Sequence, residues 1–385
     1  MPTQQNNSRK LLAGVAGVLV LAALGFWLSL RHAGQPAPPP ARPLPAPSEA
    51  NLQPVSPAAP ANGSLQRLRE MNGSLKTLDA AGARRSLAEW RAQLAALPKD
   101  EAVSAIRQFL NSKMDAPTHL GFKVAGNGWL DEAPTLRTFL LDELARLDPA
   151  AAADYSRVIL AGMDSPDEWA LALRNLASGD TSADGRALLE QKITAMLQYP
   201  PWQQNPSVGF LEAFDVAVYL GGTDLLPTLA DLARQQDNPA VTHASYLALD
   251  RLVIANPATV LGALEAAPDL LQGREATRAD FFARADVRDP QQRQVLESYL
   301  LNPAIGASEL RTFAGIYPNA NYMISLNLLT PTPTPDRASL VSRDAQSLAV
   351  AQQWMADPRF AGLGPVLQSI TSRLQMFVQQ ASQGP

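Results

Sequence analysis

The 385-residue chain contains no cysteine, which excludes disulfides, thiol catalysis and cysteine-ligated zinc. Histidine is nearly as scarce. His32, His119 and His243 are scattered, and no His-Glu-x-x-His pairing brings two together, so no metal site is expected. The Gly-x-Ser-x-Gly elbow, the Ser-x-x-Lys pattern and the Walker loop are also missing. No catalytic residue, cofactor-binding residue or cofactor is therefore singled out. Carboxylates are plentiful, but nothing in the sequence marks a hydrolytic pair among them.

Positive charge is in short supply too. Arg9, Lys10, Arg31 and Arg42 precede residue 62 with only Glu49 against them, which leaves 28 bases and 35 acids in the remainder. An acidic body with few lysines is a poor fit to a phosphate backbone, so no nucleic-acid partner is expected. Alternating β-type runs are almost absent; GFKVAG (121–126) and YMISLNLL (322–329) are the short ambiguous ones.

Apolar residues make up 46% of the chain, ample for a core. LLAGVAGVLVLAALGFWLSL (11–30) carries no charge, and as a helix it would extend about 30 Å, enough to cross a bilayer. A cleaved signal peptide has a shorter apolar region and a small-x-small site, which this stretch lacks. The expectation is a cytoplasmic tail (1–10), a single-pass inner-membrane anchor (11–30) and a C-terminal body in the periplasm. Ten of the 32 prolines fall between positions 36 and 60, so residues 31–63 read as a stiff Pro/Ala-rich spacer.

From Ser64 onward the apolar spacing is helical. Leu65, Leu68, Met71, Leu75 and Leu78 step by threes and fours, and so do Leu136, Phe139, Leu140, Leu144 and Leu147. Asp148-Pro149, Ser165-Pro166, Asn238-Pro239, Asn256-Pro257, Asp289-Pro290 and Asn302-Pro303 predict helix starts, each a capping side chain followed by a residue with no donor to lose. Gly221-Gly222 predicts a helix end, with Thr223-Asp224 opening the next helix.

NPAVTHASYLALDRLVIANPATVLGAL (238–264), with two Asn-Pro starts around an alanine-rich helix, resembles a HEAT-type helical repeat. The resemblance covers about residues 132–265, and consensus positions of the tetratricopeptide kind do not recur. It implies an all-α fold, residues 64–385 forming stacked hairpins in an irregular solenoid whose curved surface binds proteins. A sub-boundary is expected near 268–288. Anchor, spacer and helical body also resemble the layout of bacterial lipase chaperones. That family's Arg-x-x-Phe-Asp-Tyr motif has its nearest match in Leu211-Glu212-Ala213-Phe214-Asp215-Val216, which lacks the arginine and the tyrosine.

On a helical wheel His243 and Asp250 share the side opposite Val241, Leu249 and Leu252, about 10 Å apart along the axis and out of hydrogen-bond reach. His243 thus reads as a solvated contact residue. REATRADFFARADVRD (274–288) reads as a salt-laced helix face around Phe281 and Phe282. Two proline-stiffened loops, QYPPWQQNP (198–206) and GIYPNANYMISLNLL (315–329), nominate Trp202, Tyr317, Asn319, Asn321 and Tyr322, with His243, as partner-binding residues. The expected role is a non-enzymatic scaffold, adaptor or chaperone for an envelope or secreted protein. A hydrolase with a carboxylate pair in an interhelical groove and a lipase-chaperone-like foldase are the alternatives.

Overall fold

Short polar residues followed by proline do set where several helices begin. Asp148, Ser165, Asn238 and Asp289 each accept backbone N–H groups of the turn that follows, with proline at its start. Two expected starts differ. Asn256 precedes a helix, but its side-chain amide donates to the Gly221 carbonyl at 3.2 Å instead of capping. Asn302 accepts from the Ala304 N–H at 2.9 Å and closes a turn of its own, so the next helix begins only at Ala307.

The computed structural model describes residues 62–382 apart from Gln236, Ile324, Ser325, Thr332 and Pro333. The expected anchor at 11–30, most of the spacer and His32 lie outside the described residues. Among the described residues, no helix is long and apolar enough to cross a membrane.

The protein is all-α. The order begins α1 (Asn62–Leu75), which starts inside the expected spacer, α2 (Ala80–Ala96) and α3 (Lys99–Asn111). A small antiparallel pair follows, β1 (Lys123–Val124) on β2 (Leu130–Glu132), with Val124 opposite Leu130. Then come α4 (Leu136–Leu147), α5 (Pro149–Ile159), α6 (Pro166–Gly179), α7 (Ala183–Leu197) and α8 (Pro200–Gln204). Next are α9 (Val208–Glu212), α10 (Asp215–Leu220), α11 (Leu226–Arg234), α12 (Pro239–Ala255) and α13 (Pro257–Ala266). The series closes with α14 (Glu275–Phe282), α15 (Pro290–Leu301), α16 (Ala307–Ile316), α17 (Arg337–Ala356) and α18 (Gly364–Ser382).

Helices pack mainly on near neighbours in the chain: α4 on α5 and α6, α11 on α12, α14 on α16, α17 on α18. The predicted stripes are the buried faces. Leu68, Leu75, Leu136, Leu140 and Leu144 are fully enclosed. Gly221 ends α10 in the left-handed region at φ 68°, as its sequence predicts, yet α11 begins at Leu226 rather than at Thr223-Asp224.

Buried polar pairs tie these layers together at a recurring interval. Arg137 holds Glu168 through two bonds of 2.7 and 2.8 Å, 31 residues apart. Arg174 reaches Asp142 at 2.6 Å across 32 residues, and Arg278 grips Glu309 across 31. Arg284 is bidentate on Asp250 across 34, and Arg251 meets Asp215 at 2.8 Å. Such pairs fix which helix faces which, because a lone buried charge would be far costlier than a paired one.

Candidate functional site

One long connection leaves the helical series. Residues 317–336 join α16 to α17, and their described parts are neither helix nor strand. A connection of this length without regular structure is uncommon in a compact domain and is usually functional or disordered. Here the described residues are pinned. The Asn319 N–H donates to the Ala283 carbonyl at 2.7 Å, and its side-chain amide donates to Asp280 at 2.7 Å. Arg284 donates to the Asn321 carbonyl at 2.6 Å. Asp215 accepts from the Leu329 and Thr330 N–H groups at 2.6 and 3.1 Å and from the Thr330 hydroxyl at 2.5 Å. Arg251 donates to Asn327 at 2.9 Å and to the Thr330 hydroxyl. Gly128 has φ 81°, and a Cβ there would meet the Leu328 carbonyl at 2.5 Å, so only glycine admits the strap at this approach.

Three concave places border α12 and this strap. The first, about 480 Å³, is lined by Phe122, Val124, Glu212, Phe214, Asp215, His243, Leu247, Arg251 and Leu326, with Lys123 also on its wall. The second, about 370 Å³, is lined by Ile254, Arg284, Arg288, Asn319, Asn321, Tyr322 and Arg343. The third, about 670 Å³, shares Arg251 with the first and Ile254 with the second, and includes Tyr219, Leu329 and Pro331. Met323 and Leu326 of the strap are large apolar side chains left exposed.

The electrostatics of the first two differ. In the second, each arginine makes hydrogen bonds, although the buried Arg343 Nε has no partner among the described residues. Arg284 holds Asp250, Arg288 holds Asp286, and Arg343 donates to the carbonyls of Arg284 and Asn319 at 2.7 and 3.1 Å. Burial lowers the Arg343 guanidinium below its ordinary range. In the first groove Asp215 is saturated by the strap and Arg251, whereas Glu212 has no hydrogen bond or ion pair. Burial, helped by repulsion from Asp215 and opposed by Arg251, pushes the Glu212 carboxyl up to about 7. Among the described residues, no three His, Asp or Glu side chains gather as a metal-binding group.

Asn319, Asn321 and Tyr322 thus meet at one groove, and exposed His243 lines the next. Trp202 and Tyr317 join neither. Trp202 belongs to the short helix α8 and is 7% exposed, edge-on to Trp169, Tyr199 and Phe210 at 5.5, 5.1 and 6.4 Å. Tyr317 is fully buried and stacked 4.9 Å from Phe313. Neither ring is available to a partner, because interior packing removes more apolar area from water than a loop tip could. Asn319 is buried as well, and its polar groups are spent on Ala283 and Asp280.

Asp250 requires a correction. It does not share His243's solvated side but is 1% exposed against Arg284. Adjacent rows of α12 face different surroundings: His243, Leu247 and Arg251 line the groove, while Tyr246 and Asp250 are covered by residues 280–284. Burial lifts the Asp250 carboxyl to about 6 even against the pull of Arg284. Residues 274–288 likewise do not form a free salt-laced face. Arg278 and Arg284 pair with Glu309 and Asp250, Asp280 accepts from Tyr246 and Asn319, and Phe281 and Phe282 are buried. His119 is exposed in a loop at φ 58°.

The sequence reading missed Glu212, Asp215 and Arg251. The signal was present in GFLEAFDVAV (209–218), where two acids interrupt an otherwise apolar run, and in the recurrence of Leu-Asp-x-Leu at 141–144 and 249–252. Matched against protein families, curated proteins and solved structures, the chain finds no counterpart in any of the three comparisons.

Proposed function

We propose that this chain is a non-enzymatic adaptor or chaperone of the bacterial envelope, recognising a partner polypeptide in the groove between α12 and the 317–336 strap. The uncharged stretch 11–30 supports an inner-membrane anchor with the N-terminus in the cytoplasm, and the proline run supports a stiff spacer that carries the body into the periplasm. A HEAT-like solenoid is supported by the interval of 31–36 residues at which these buried Arg–carboxylate pairs recur, close to one helical hairpin.

The observation that carries the binding role is the strap itself. A long connection is fastened by the buried Asp215 carboxylate and still leaves Asn321 and Tyr322 along one open concavity, Leu326 along the next, and Met323 exposed. Apolar groups beside a rigidified groove are what a protein-binding surface offers. The hydrolase alternative rests on Glu212 and Asp215 sharing one groove. It is the weaker reading, because both Asp215 oxygens already accept bonds from the strap.

A photo-crosslinking residue placed at Asn321 in the full-length protein tests the reading in intact envelopes. One discrete adduct is expected from Asn321 and none from exposed Lys76 in the turn after α1. Identical labelling from both positions overturns it.

A further inference from the structure

Among the described residues, Glu212 is the one carboxylate lining the first groove that has no partner, and its surroundings state what is missing. The walls are Phe122, Val124, Phe214, Leu247 and Leu326, an apolar enclosure that hydrates a carboxylate poorly. The charged and titratable groups facing it from every side are Asp215, Arg251, Lys123 and His243. Asp215 and Arg251 neutralise one another at 2.8 Å and are further occupied by the strap. Lys123 stands beside Asp131 at 3.6 Å on the exposed rim, and His243 is solvated. The groove therefore holds one uncompensated negative charge inside an apolar wall. The neighbouring groove makes no such demand for a cation, since its charged lining is mainly arginine and its one carboxylate, Asp286, is already paired with Arg288.

We infer that this groove receives a lysine or arginine side chain of a partner polypeptide, carried beside a bulky apolar residue, with Glu212 as its counter-ion. The inference rests on the adaptor reading and specifies the segment that the adaptor selects. Charge complementarity fixes the head group. The apolar wall suits the methylene stem of a long basic side chain, which buries its carbons while the charge reaches an acid. Leu326, 47% exposed on the strap and on the wall of this groove, supplies apolar contact for the flanking residue. An acidic or neutral segment would cover the half-buried Glu212 and leave it unpaired, so the groove discriminates by the cost of the wrong ligand as well as by the gain from the right one.

Selection from a random dodecapeptide phage library on the detergent-solubilised full chain at pH 8 tests this. Enriched peptides should carry Lys or Arg next to Leu, Phe or Met. The best of them should bind the Glu212→Gln protein about tenfold more weakly, and selection on Glu212→Lys should favour Asp or Glu instead. Circular dichroism establishes that both variants are folded. Enrichment of the same peptides on wild type and Glu212→Gln overturns the inference, as does enrichment without a basic residue or no enrichment at all. If that happens while the Asn321 crosslink still forms, the adaptor reading stands and only the cationic selectivity falls. Basic enrichment without a crosslink would leave the groove's preference intact and remove the envelope partner.

Discussion

Asp142 and Asp215 are both buried aspartates paired to an arginine of a later helix, yet their neighbourhoods serve opposite ends. Asp142 is wholly enclosed. It accepts from Arg174 at 2.6 Å, from Arg146 at 3.0 Å and from the Leu130 N–H at 3.2 Å. The Trp129 ring lies under both guanidinium groups, 4.7 and 4.8 Å from their carbons, and Asn175 takes the remaining Arg174 donors. Asp215 makes a similar pair with Arg251 but spends its other lone pairs on a strap from far along the chain, and a groove opens beside it. The first arrangement seals two helical layers; the second fastens a segment over a surface that remains accessible. One repeated device therefore closes a fully buried cluster between helices and the small hairpin in the first case, and holds a long connection beside an open groove in the second.

Removing each acid should separate the two uses. Asp142→Ala leaves Arg174 buried without its counter-ion and should cost about 3–5 kcal/mol, the range for breaking a buried pair. Its urea midpoint should fall with little change in slope. Asp215→Ala should cost less, about 2–3 kcal/mol, because Arg251 retains Asn327 and Thr330 as partners. Its larger effect should be local, with chymotrypsin cutting the strap near Tyr322 or Leu326 at least tenfold faster than in wild type. Equal global losses with no change in strap cleavage would erase the distinction.

Glu212→Gln probes the open side alone and should raise stability at pH 8 by about 1 kcal/mol, a figure discounted for the groove's partial exposure to solvent. Between pH 4.5 and about 7 the folded state binds more protons at Glu212 than the unfolded state does, so wild-type stability falls as pH rises through that window. Asp250 contributes in the same direction at the lower end, from 3.8 to about 6. The difference between wild type and Glu212→Gln across pH 4.5–8, followed by thermal melts, isolates the Glu212 share. Last, His243→Ala should change stability by no more than about 0.5 kcal/mol, since the ring is exposed and removes nothing from the core. A larger loss would place His243 inside the network with Asp215.

The all-α class, the proline-marked helix starts and the buried stripes were legible in the sequence because each is a local rule: a cap, a missing donor, a period of 3.6. The groove was not. Glu212 and Asp215 sit in a short segment whose apolar spacing marks Phe214 correctly as core, but nothing local says that Leu329 and Thr330 return to Asp215. The wheel that grouped Asp250 with His243 treated α12 as having one outside along its whole length. Adjacent rows on that outside meet different neighbours, and only their placement separates the buried acid from the solvated histidine. Trp202 and Tyr317 show the same limit in reverse: prolines announce a stiff connection without saying whether its rings turn inward.

Asp215 and its strap partners lie 114 and 115 residues apart, against the 31–36 of the buried Arg–carboxylate pairs described within the helical series. A stack of hairpins joined only by near neighbours can unravel from either end, one unit at a time. A clasp closing a loop of that size makes fraying of the intervening helices open the loop as well, and doubling its length would add only about 0.6 kcal/mol of closure entropy. It forms only when helices on both sides of it are already in place, so it should appear late in folding and be lost early in unfolding. The residues that border the groove would then report by their hydrogen exchange whether the whole body between them is folded.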